Sequence, residues 1–285
     1  MKLHWPTSID EAVALLGADD GARPHAGGAT LVAMMNADLL APSSLVFLRR
    51  IDALTGIERQ AEGTVVIGAM TTHETVEHSG DFGPGQDVVR LAAARIAHPP
   101  IRAVGTIGGS IAHADPAADY PAALVAADAR MICVGADGER EIPAIDFFAD
   151  YFETALAPGE IVRAVAVPPA PEGSAAVYDK LARVEGDYAI VSVAAVIAMK
   201  DGVCTHARLV GGACAATPLR VSAAEARLVG SALSDDDLAD AVGLFAAEAD
   251  PIDDVRGSAA YRRKVLARMA KRAIAQAREK SEAAA

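Results

Sequence analysis

Two glycine-rich segments constrain this chain more than any other feature of its sequence. The first, RPHAGGATLVAMM from Arg23 to Met35, has two glycines at a predicted strand end, before an apolar stretch with helical spacing. The second, RAVGTIGGSIAHADPAADYPAAL from Arg102 to Leu124, has three glycines around Thr106, and a helical pattern starts near Pro116. Glycine has no Cβ atom, so these positions allow a ligand or another backbone to come close.

Neither segment carries a common nucleotide-binding fingerprint. Both lack the lysine of a Walker A sequence, and neither fits the GxGxxG spacing. An anion bound here would be held mainly by backbone N–H groups and by the positive end of a helix dipole. The hydroxyl groups of Thr30, Thr106 and Ser110 offer further donors. Taken singly, each segment also fits an ordinary tight turn.

The first part of the chain is predicted to mix helices and strands. A helix capped by Ser8 and a short strand with its turn give a βαβ-like opening. Strands are predicted over Thr64–Met70 and Ala129–Ala136, and a helix over Gln86–Ala97. The Pro/Gly-rich stretch Val167–Ala176 is the strongest linker signal in the chain.

After this linker the pattern changes to two long strands and two helices. The strands cover Ala189–Lys200 and Cys204–Gly212, and Asp201-Gly202 between them is a hairpin turn sequence. The helices cover Asp235–Ala249 and Ala259–Ala277. The apolar run that ends at Met199 is well short of the roughly 20 residues of a membrane helix, so it predicts a buried strand and no transmembrane segment.

Charge and targeting signals narrow the choice of partners. A formal net charge of -12 argues against a nucleic-acid partner, which needs a clustered positive field. The N-terminal MKLHWPTSIDEAVALL lacks the features of a secretory signal, which predicts a cytoplasmic protein. The last helix is basic, and its cations form either a solvated face or a docking surface for an acidic partner. These cations are Arg262, Arg263, Lys264, Arg268, Lys271 and Arg272.

The sequence predicts no metal site in this chain. Its three cysteines form no CxxC pair, so neither a disulfide framework nor a sulfur-ligated metal is indicated. The pairs His73/His78 and His113/Asp115 lack a third ligand at a convincing spacing. The cysteines are therefore expected to be buried apolar residues.

The segments AGGATL and TIGGSIAHADPAAD resemble the two FAD-binding loops of the medium subunit of molybdenum hydroxylases, the group of carbon monoxide dehydrogenase and xanthine dehydrogenase. The likeness continues through IGAMTTHETVEHS, KLARVEGDYAIVSVAA and ATPLRVSAAEARLVG to the basic YRRKVLARMAKRAI. It therefore extends over nearly the whole chain.

The resemblance implies an α+β fold with two domains. A two-part α/β FAD-binding domain of the vanillyl-alcohol-oxidase/PCMH type would cover residues 1–172, with subparts at about 1–55 and 56–172. A smaller α+β domain, with a three-stranded sheet and helices, would cover residues 173–285.

The resemblance also implies cofactor-binding residues for FAD. The first pyrophosphate loop would consist of Ala26, Gly27, Gly28, Ala29, Thr30 and Leu31. The second would consist of Thr106, Ile107, Gly108, Gly109 and Ser110. Asp119 would bind the polar chain of FAD, Tyr188 would pack near the isoalloxazine ring, and Lys180 would lie close to it.

Three of these positions have alternatives or departures. Ala29 replaces a polar residue of many relatives, so one side-chain hydrogen bond would be missing there. By its residue type alone, Asp119 fits a helix cap. Tyr188 likewise fits an ordinary half-buried strand aromatic.

By resemblance, the chain is the FAD-carrying electron-transfer subunit of a heteromeric oxidoreductase. A large partner would carry the molybdenum cofactor, and a small partner would carry two [2Fe-2S] clusters. Two copies each of the large (L), medium (M) and small (S) subunits would form an (LMS)2 heterohexamer, with this chain as the medium subunit. Electrons would leave to NAD, oxygen, a quinone or a carrier protein, and no catalytic acid–base pair is needed in this chain. The alternatives are a stand-alone FAD-dependent reductase or oxidase of the same fold, and a cofactor-free binding module.

Overall fold

The computed structural model describes residues 1–284, which begin with a small parallel sheet in the strand order β1-β3-β2. The predicted cap is present, because the Ser8 hydroxyl accepts from Glu11 N at 3.2 Å. The βαβ-like opening predicted from the sequence is therefore confirmed. Its elements are β1 Lys2–His4, α1 Ile9–Gly17, β2 Ala22–His25, α2 Ala29–Asn36 and β3 Ser44–Phe47, followed by 3-10 turns at Leu48–Arg50 and Asp52–Leu54.

The second part is an open five-stranded antiparallel sheet in the order β4-β5-β10-β6-β7, with short helices around it. The helix predicted over Gln86–Ala97 is shorter in the structure: it covers Asp87–Ala93, and the chain then turns, with a φ of 42° at Ala97. The elements are β4 Ile57–Arg59, β5 Val65–Gly68, α3 His73–His78, α4 Asp87–Ala93, α5 Pro99–Arg102, α6 Ile107–His113, α7 Asp119–Ala126, β6 Arg130–Gly135, β7 Gly138–Pro143, α8 Ala144–Phe147, β8 Phe148–Asp150, β9 Glu153–Thr154 and β10 Ile161–Val167.

The C-terminal part is an antiparallel sheet in the order β11-β12-β13-β14 with three helices. The predicted hairpin is present, and Asp201 and Gly202 both have positive φ, 52° and 76°. The sheet has three long strands, as predicted, and a fourth strand of two residues. The elements are β11 Ser174–Leu181, β12 Val191–Lys200, β13 Val203–Gly212, β14 Leu219–Arg220, α9 Ser222–Leu228, α10 Asp235–Ala247 and α11 Ala259–Ala284.

The C-terminal sheet is covered on both faces, which explains the continuous apolar run of β12. Val193 and Ile197 pack into the core formed with the C-terminal helices. Ala194 and Val196 belong to the core that continues into the second part of the chain. Because side chains alternate between the two faces of a strand, both faces of β12 must be apolar.

The helices within residues 1–284 include none with the length and apolar character needed to cross a membrane.

The basic residues of α11 are largely engaged within the chain. Arg262 is 3% exposed. Arg263 pairs with Asp250, Lys271 with Asp235 and Arg272 with Asp179. Most of the predicted cationic face therefore serves intramolecular ion pairs. The docking role predicted for this helix stays a prediction and rests on its exposed residues alone.

Candidate cofactor-binding cleft

The two glycine segments meet backbone to backbone. A Cβ atom on Gly27 would lie 1.9 Å from the carbonyl oxygen of Val104 and 3.0 Å from the Cα of Gly105. Neither atom belongs to a flexible side chain, so only glycine fits. Gly28 has a φ of 77° and is the N-cap of α2. Glycine is therefore required at these two positions for different reasons: a close approach of another backbone at Gly27 and a left-handed backbone conformation at Gly28.

The first glycine loop presents a row of free backbone donors. Within the described residues, five consecutive backbone N–H groups donate to no acceptor: those of Gly27, Gly28, Ala29, Thr30 and Leu31. The next N–H group, that of Val32, donates to Gly28 O. These five groups are consecutive at the N-terminus of α2, where the helix dipole is positive. All five residues line one cleft. The arrangement is suited to an anion, as predicted for the first segment.

The second glycine segment differs from the loop that the sequence predicts, because it forms the first turns of α6. Its N–H groups already have acceptors within the chain. Ile107 N donates to Thr71 O at 3.0 Å and Gly108 N to Ala69 O at 2.8 Å. Gly109 N donates to the Thr106 hydroxyl at 3.1 Å, which caps the helix. Its glycines therefore serve close packing rather than a second row of free donors.

Gly108 and Gly105 show what this packing requires. A Cβ on Gly108 would lie 2.7 Å from the carbonyl oxygen of Ala69, and one on Gly105 would lie 2.6 Å from Nε2 of His73. His73 is 5% exposed, and its Nδ1 lies 3.3 Å from the Tyr120 hydroxyl. Burial, assisted by the nearby Arg102 charge, lowers the pKa of His73 to about 4. A neutral imidazole therefore supports the cleft wall at neutral pH.

We expect acid to weaken the fold through His73. The pKa falls from 6.5 to about 4 on folding, so the unfolded chain binds a proton more readily. Above about pH 6.5 His73 is neutral in both states and does not lower the free energy of unfolding. Below that value the free energy of unfolding decreases as the pH falls, by about 2 kcal/mol at about pH 5. Urea unfolding of the native chain and of His73→Gln at about pH 7.5 and about pH 5 should reveal the difference. An equal pH dependence in both chains would contradict this assignment.

Asp119 forms a buried ion pair across the two parts of the chain. Its carboxylate accepts from Lys180 Nζ at 2.9 Å and from the Tyr178 hydroxyl at 2.7 Å. Lys180 Nζ also donates to Arg95 O at 2.9 Å. Burial raises the pKa of Asp119, and the Lys180 charge opposes this change. Asp119 does not cap its helix, because Ala118 is the N-cap of α7 and the carboxylate makes no cap bond.

Tyr188 lies on the loop between β11 and β12 and is 39% exposed. Burial of its hydroxyl, with the Asp115 charge nearby, raises its pKa. The ring faces the Arg256 guanidinium, whose Cζ lies 5.1 Å from the ring centroid. Tyr188 is therefore a half-buried aromatic between the cleft and a cation, and it is not part of a strand.

The structure brings the predicted residues together in one cleft of about 830 Å³. All of the predicted cofactor residues line it except Ile107, which is fully buried in the core. Several other lining residues were not predicted as cofactor residues from the sequence. Gly105 and Gly186 had a local signal in their glycine-containing motifs. No motif marks Leu39, Phe152 and Glu160, which topology alone brings to the cleft.

The histidines considered as metal ligands have other surroundings. Nδ1 of His78 is hydrogen-bonded to Glu74 O at 2.8 Å, and His113 lies 5.3 Å from the Phe152 ring. In the part of the chain that the structure describes, no three His, Cys, Asp or Glu side chains form a metal-binding group. All three cysteines are buried and free, as predicted.

A cleft of this size, with a row of free N–H donors at a helix N-terminus, is suited to a protein that binds an anionic cofactor. Two family models match the chain. The FAD binding domain in molybdopterin dehydrogenase matches residues 1–170, and the CO dehydrogenase flavoprotein C-terminal domain matches residues 176–277. The chain belongs to this family of FAD-binding subunits of molybdenum-dependent oxidoreductases, which confirms the resemblance predicted from the sequence.

Curated relatives match over nearly their whole length. The carbon monoxide dehydrogenase medium chain of Afipia carboxidovorans is 40% identical and is covered to 97%, as 98% of this chain is. The 6-hydroxypseudooxynicotine dehydrogenase complex subunit alpha of Paenarthrobacter nicotinovorans is 39% identical, with 95% of this chain and 92% of that protein covered. These relatives are named as chains of multi-subunit enzymes, which favours a subunit over a stand-alone reductase or oxidase.

Solved structures agree with the family. Reconstituted CO dehydrogenase from Oligotropha carboxidovorans matches with a TM-score of 0.95 and 39% identity, covering 98% of each chain. Quinoline 2-oxidoreductase from Pseudomonas putida 86 matches with a TM-score of 0.92 and 31% identity, covering all of this chain and 98% of the other. The predicted α+β fold, a FAD-binding domain followed by a smaller C-terminal domain, is confirmed.

Proposed function

We propose that this chain holds FAD in the cleft, with the pyrophosphate on the N–H groups of Gly27–Leu31. The observation that carries the proposal is the row of five free donors at the N-terminus of α2. The fit is further supported by the absence of space for a Cβ at Gly27, which keeps both walls close. A pyrophosphate there would be stabilised by backbone donors and the helix dipole, without a neighbouring lysine.

Other predicted residues would complete the site in distinct roles. The hydroxyls of Thr30 and Ser110 make no hydrogen bond within the described residues and line the cleft, so both are available to the polar part of FAD. Asp119 and Lys180 would lie beside the polar chain, and Tyr188 beside the isoalloxazine ring. Ala29 stands where many relatives have a polar residue, so its side chain donates no hydrogen bond. Its backbone N–H group is nevertheless free to donate to FAD.

The second glycine segment would contribute a wall. With its N–H groups satisfied by Thr71, Ala69 and Thr106, the turn from Thr106 to Ser110 offers small surfaces and the Ser110 hydroxyl. FAD supplies the redox chemistry, since a flavin exchanges electrons with both one-electron and two-electron carriers. The chain binds and orients the flavin and controls the polarity around it. No residue of the chain is assigned a catalytic acid–base role.

The proposed partners are a large subunit with the molybdenum cofactor and a small subunit with two [2Fe-2S] clusters. The support is the multi-subunit nature of the named relatives. We propose an (LMS)2 heterohexamer in the cytoplasm, with an external electron acceptor. We also propose a domain boundary at residues 172/173; its support is the passage of the chain from one sheet to the next between β10 and β11.

Purification of the tagged chain from its native source tests the proposal. We expect the flavin absorbance bands, one FAD per chain, and co-purification of two other chains. A purified chain that oxidises substrate alone would contradict the subunit role. A folded chain without flavin, which takes up no FAD on reconstitution, would contradict the cofactor site.

Tyr188→Ala should change the flavin more than it changes the fold. If the ring packs beside the isoalloxazine, its removal alters the local polarity, the flavin fluorescence and the midpoint potential. The stability loss should be small, because Tyr188 is 39% exposed. Spectroelectrochemistry and thermal unfolding of the same preparation provide the comparison. An unchanged potential together with a large loss of stability would identify Tyr188 as a structural aromatic.

A further inference from the structure

A chain of polar contacts links the buried face of α11 to the Tyr188 ring. It consists of Arg262, Asp254 and Arg256, and we call it the arginine relay. Arg262 lies in α11, while Asp254 and Arg256 lie in the segment between α10 and α11. None of the three lines the cleft, so the proposed FAD site does not account for them.

Arg262 is the fixed end of the relay. It is 3% exposed, and its NH1 donates to Ile190 O at 2.8 Å and to Ala213 O at 3.0 Å. Its NH2 donates to the Asp254 carboxylate at 2.5 Å. The planar guanidinium therefore holds the end of the Tyr188 loop, at Ile190, in register with Asp254.

Asp254 transmits this position to Arg256. Its Oδ1 accepts from the backbone N–H groups of Arg256 at 2.8 Å and Gly257 at 3.1 Å. Its Oδ2 lies 3.5 Å from Arg256 NH1. Burial raises the pKa of Asp254, but the Arg256 N–H and the Arg262 side chain outweigh it and hold the pKa below its usual value. The carboxylate therefore stays ionised and fixes both the backbone and the side chain of Arg256.

Arg256 is the end that reaches the cleft aromatic. Its guanidinium carbon lies 5.1 Å from the centroid of the Tyr188 ring, within the range of a cation–π contact. The backbone on either side is also tied down. Arg183 NH1 donates to Val255 O at 3.3 Å, and Ala189 N donates to Ala117 O at 3.2 Å. Hydrogen bonds therefore hold the backbone next to both the cation and the ring.

We propose that Arg262 and Asp254 are positioning residues that hold the Arg256 charge over Tyr188, and that this charge raises the midpoint potential of the bound flavin. The inference rests on the proposed place of the isoalloxazine beside Tyr188. A flavin gains negative charge when it is reduced at neutral pH, and a fixed cation nearby favours that state. Arg262 and Asp254 act through Arg256 and do not themselves face the cofactor.

The test is the midpoint potential of FAD in the full-length chain, with FAD occupancy and melting temperature measured alongside. Arg256→Met should lower the ratio of reduced to oxidised flavin at a fixed potential by about tenfold, about 30 mV for a two-electron couple. Arg256→Lys should retain most of the potential, since the charge remains. Arg262→Lys and Asp254→Glu conserve charge but misplace the relay, so they should lower the potential with FAD occupancy unchanged. Asp254→Glu serves where Arg262→Lys fails to fold.

Double variants separate positioning from a general structural role. In the Arg256→Met background, Arg262→Lys and Asp254→Glu should no longer change the potential, because their effect passes through Arg256. If these substitutions shift the potential equally in both backgrounds, the arginine relay is overturned. It is also overturned if Tyr188→Ala shifts the potential but Arg256→Met does not. If Tyr188→Ala also leaves the potential unchanged, the proposed place of the isoalloxazine fails, and the inference fails with it.

Discussion

Gly27→Ala is expected to weaken FAD binding by about a hundredfold, which corresponds to about 3 kcal/mol. The added Cβ would lie 1.9 Å from Val104 O, a backbone atom, so the two glycine segments must separate. Gly27 does not have a positive φ, so alanine introduces no backbone strain there and the effect is purely steric. Separation moves the free N–H groups of Gly27–Leu31 out of line with the cleft wall, and the pyrophosphate loses its donors.

FAD titration of the apoprotein, followed by flavin fluorescence, measures this loss, and circular dichroism checks the fold. Gly243→Ala is the matched control, because its added Cβ would meet no atom within 4 Å apart from its chain neighbours and the backbone of its own helix. Gly243 lies within α10, so alanine there should leave FAD affinity unchanged and raise stability by about 0.5–1 kcal/mol. A folded Gly27→Ala chain with native FAD affinity would remove the contact between the glycine segments from the site.

The first glycine segment was predictable because its signals are local. A glycine pair between a strand and a helix indicates a tight turn whose backbone conformation only glycine adopts easily. Gly28 indeed has a left-handed φ. The second segment shows the limit of such signals. Its glycines also mark close packing, but the acceptors of its N–H groups, Thr71 O and Ala69 O, lie on another segment. A local pattern cannot show that its donors are already used.

The remaining cleft residues depend on topology. Phe152 lines the cleft from the turn between β8 and β9, and Glu160 from the position just before β10; neither segment carries a motif. Asp119 and Lys180 are 61 positions apart, and nothing near either residue identifies its partner. The basic pattern of α11 was visible in the sequence, but the burial of Arg262 was not, because its acceptors, Ile190 O and Ala213 O, are 72 and 49 positions away in the chain. Family resemblance supplied the cofactor residues that local chemistry could not.

Asp119→Ala is expected to cost about 3–5 kcal/mol of unfolding free energy, since it leaves the Lys180 charge buried without its partner. The side chains of Lys180 and Asp119 are only 2% and 6% exposed. The pair joins α7 to β11 at the cleft, so its loss should also loosen the C-terminal part from the FAD-binding part. Urea unfolding of the apoprotein measures the effect without any contribution from cofactor.

The double variant Asp119→Leu/Lys180→Met separates the structural role of the pair from its role in binding. Removing both charges should restore most of the stability, because a buried ion pair and an apolar pair of similar volume are close in energy. Asp240→Ala is the control for an exposed pair, Arg227 and Asp240 being more than half exposed, and should cost less than about 1 kcal/mol. If the restored double variant binds FAD with native affinity, the two charges serve the fold alone. A tenfold or greater loss of affinity in that variant, at native stability, would support their proposed place beside the polar chain of FAD.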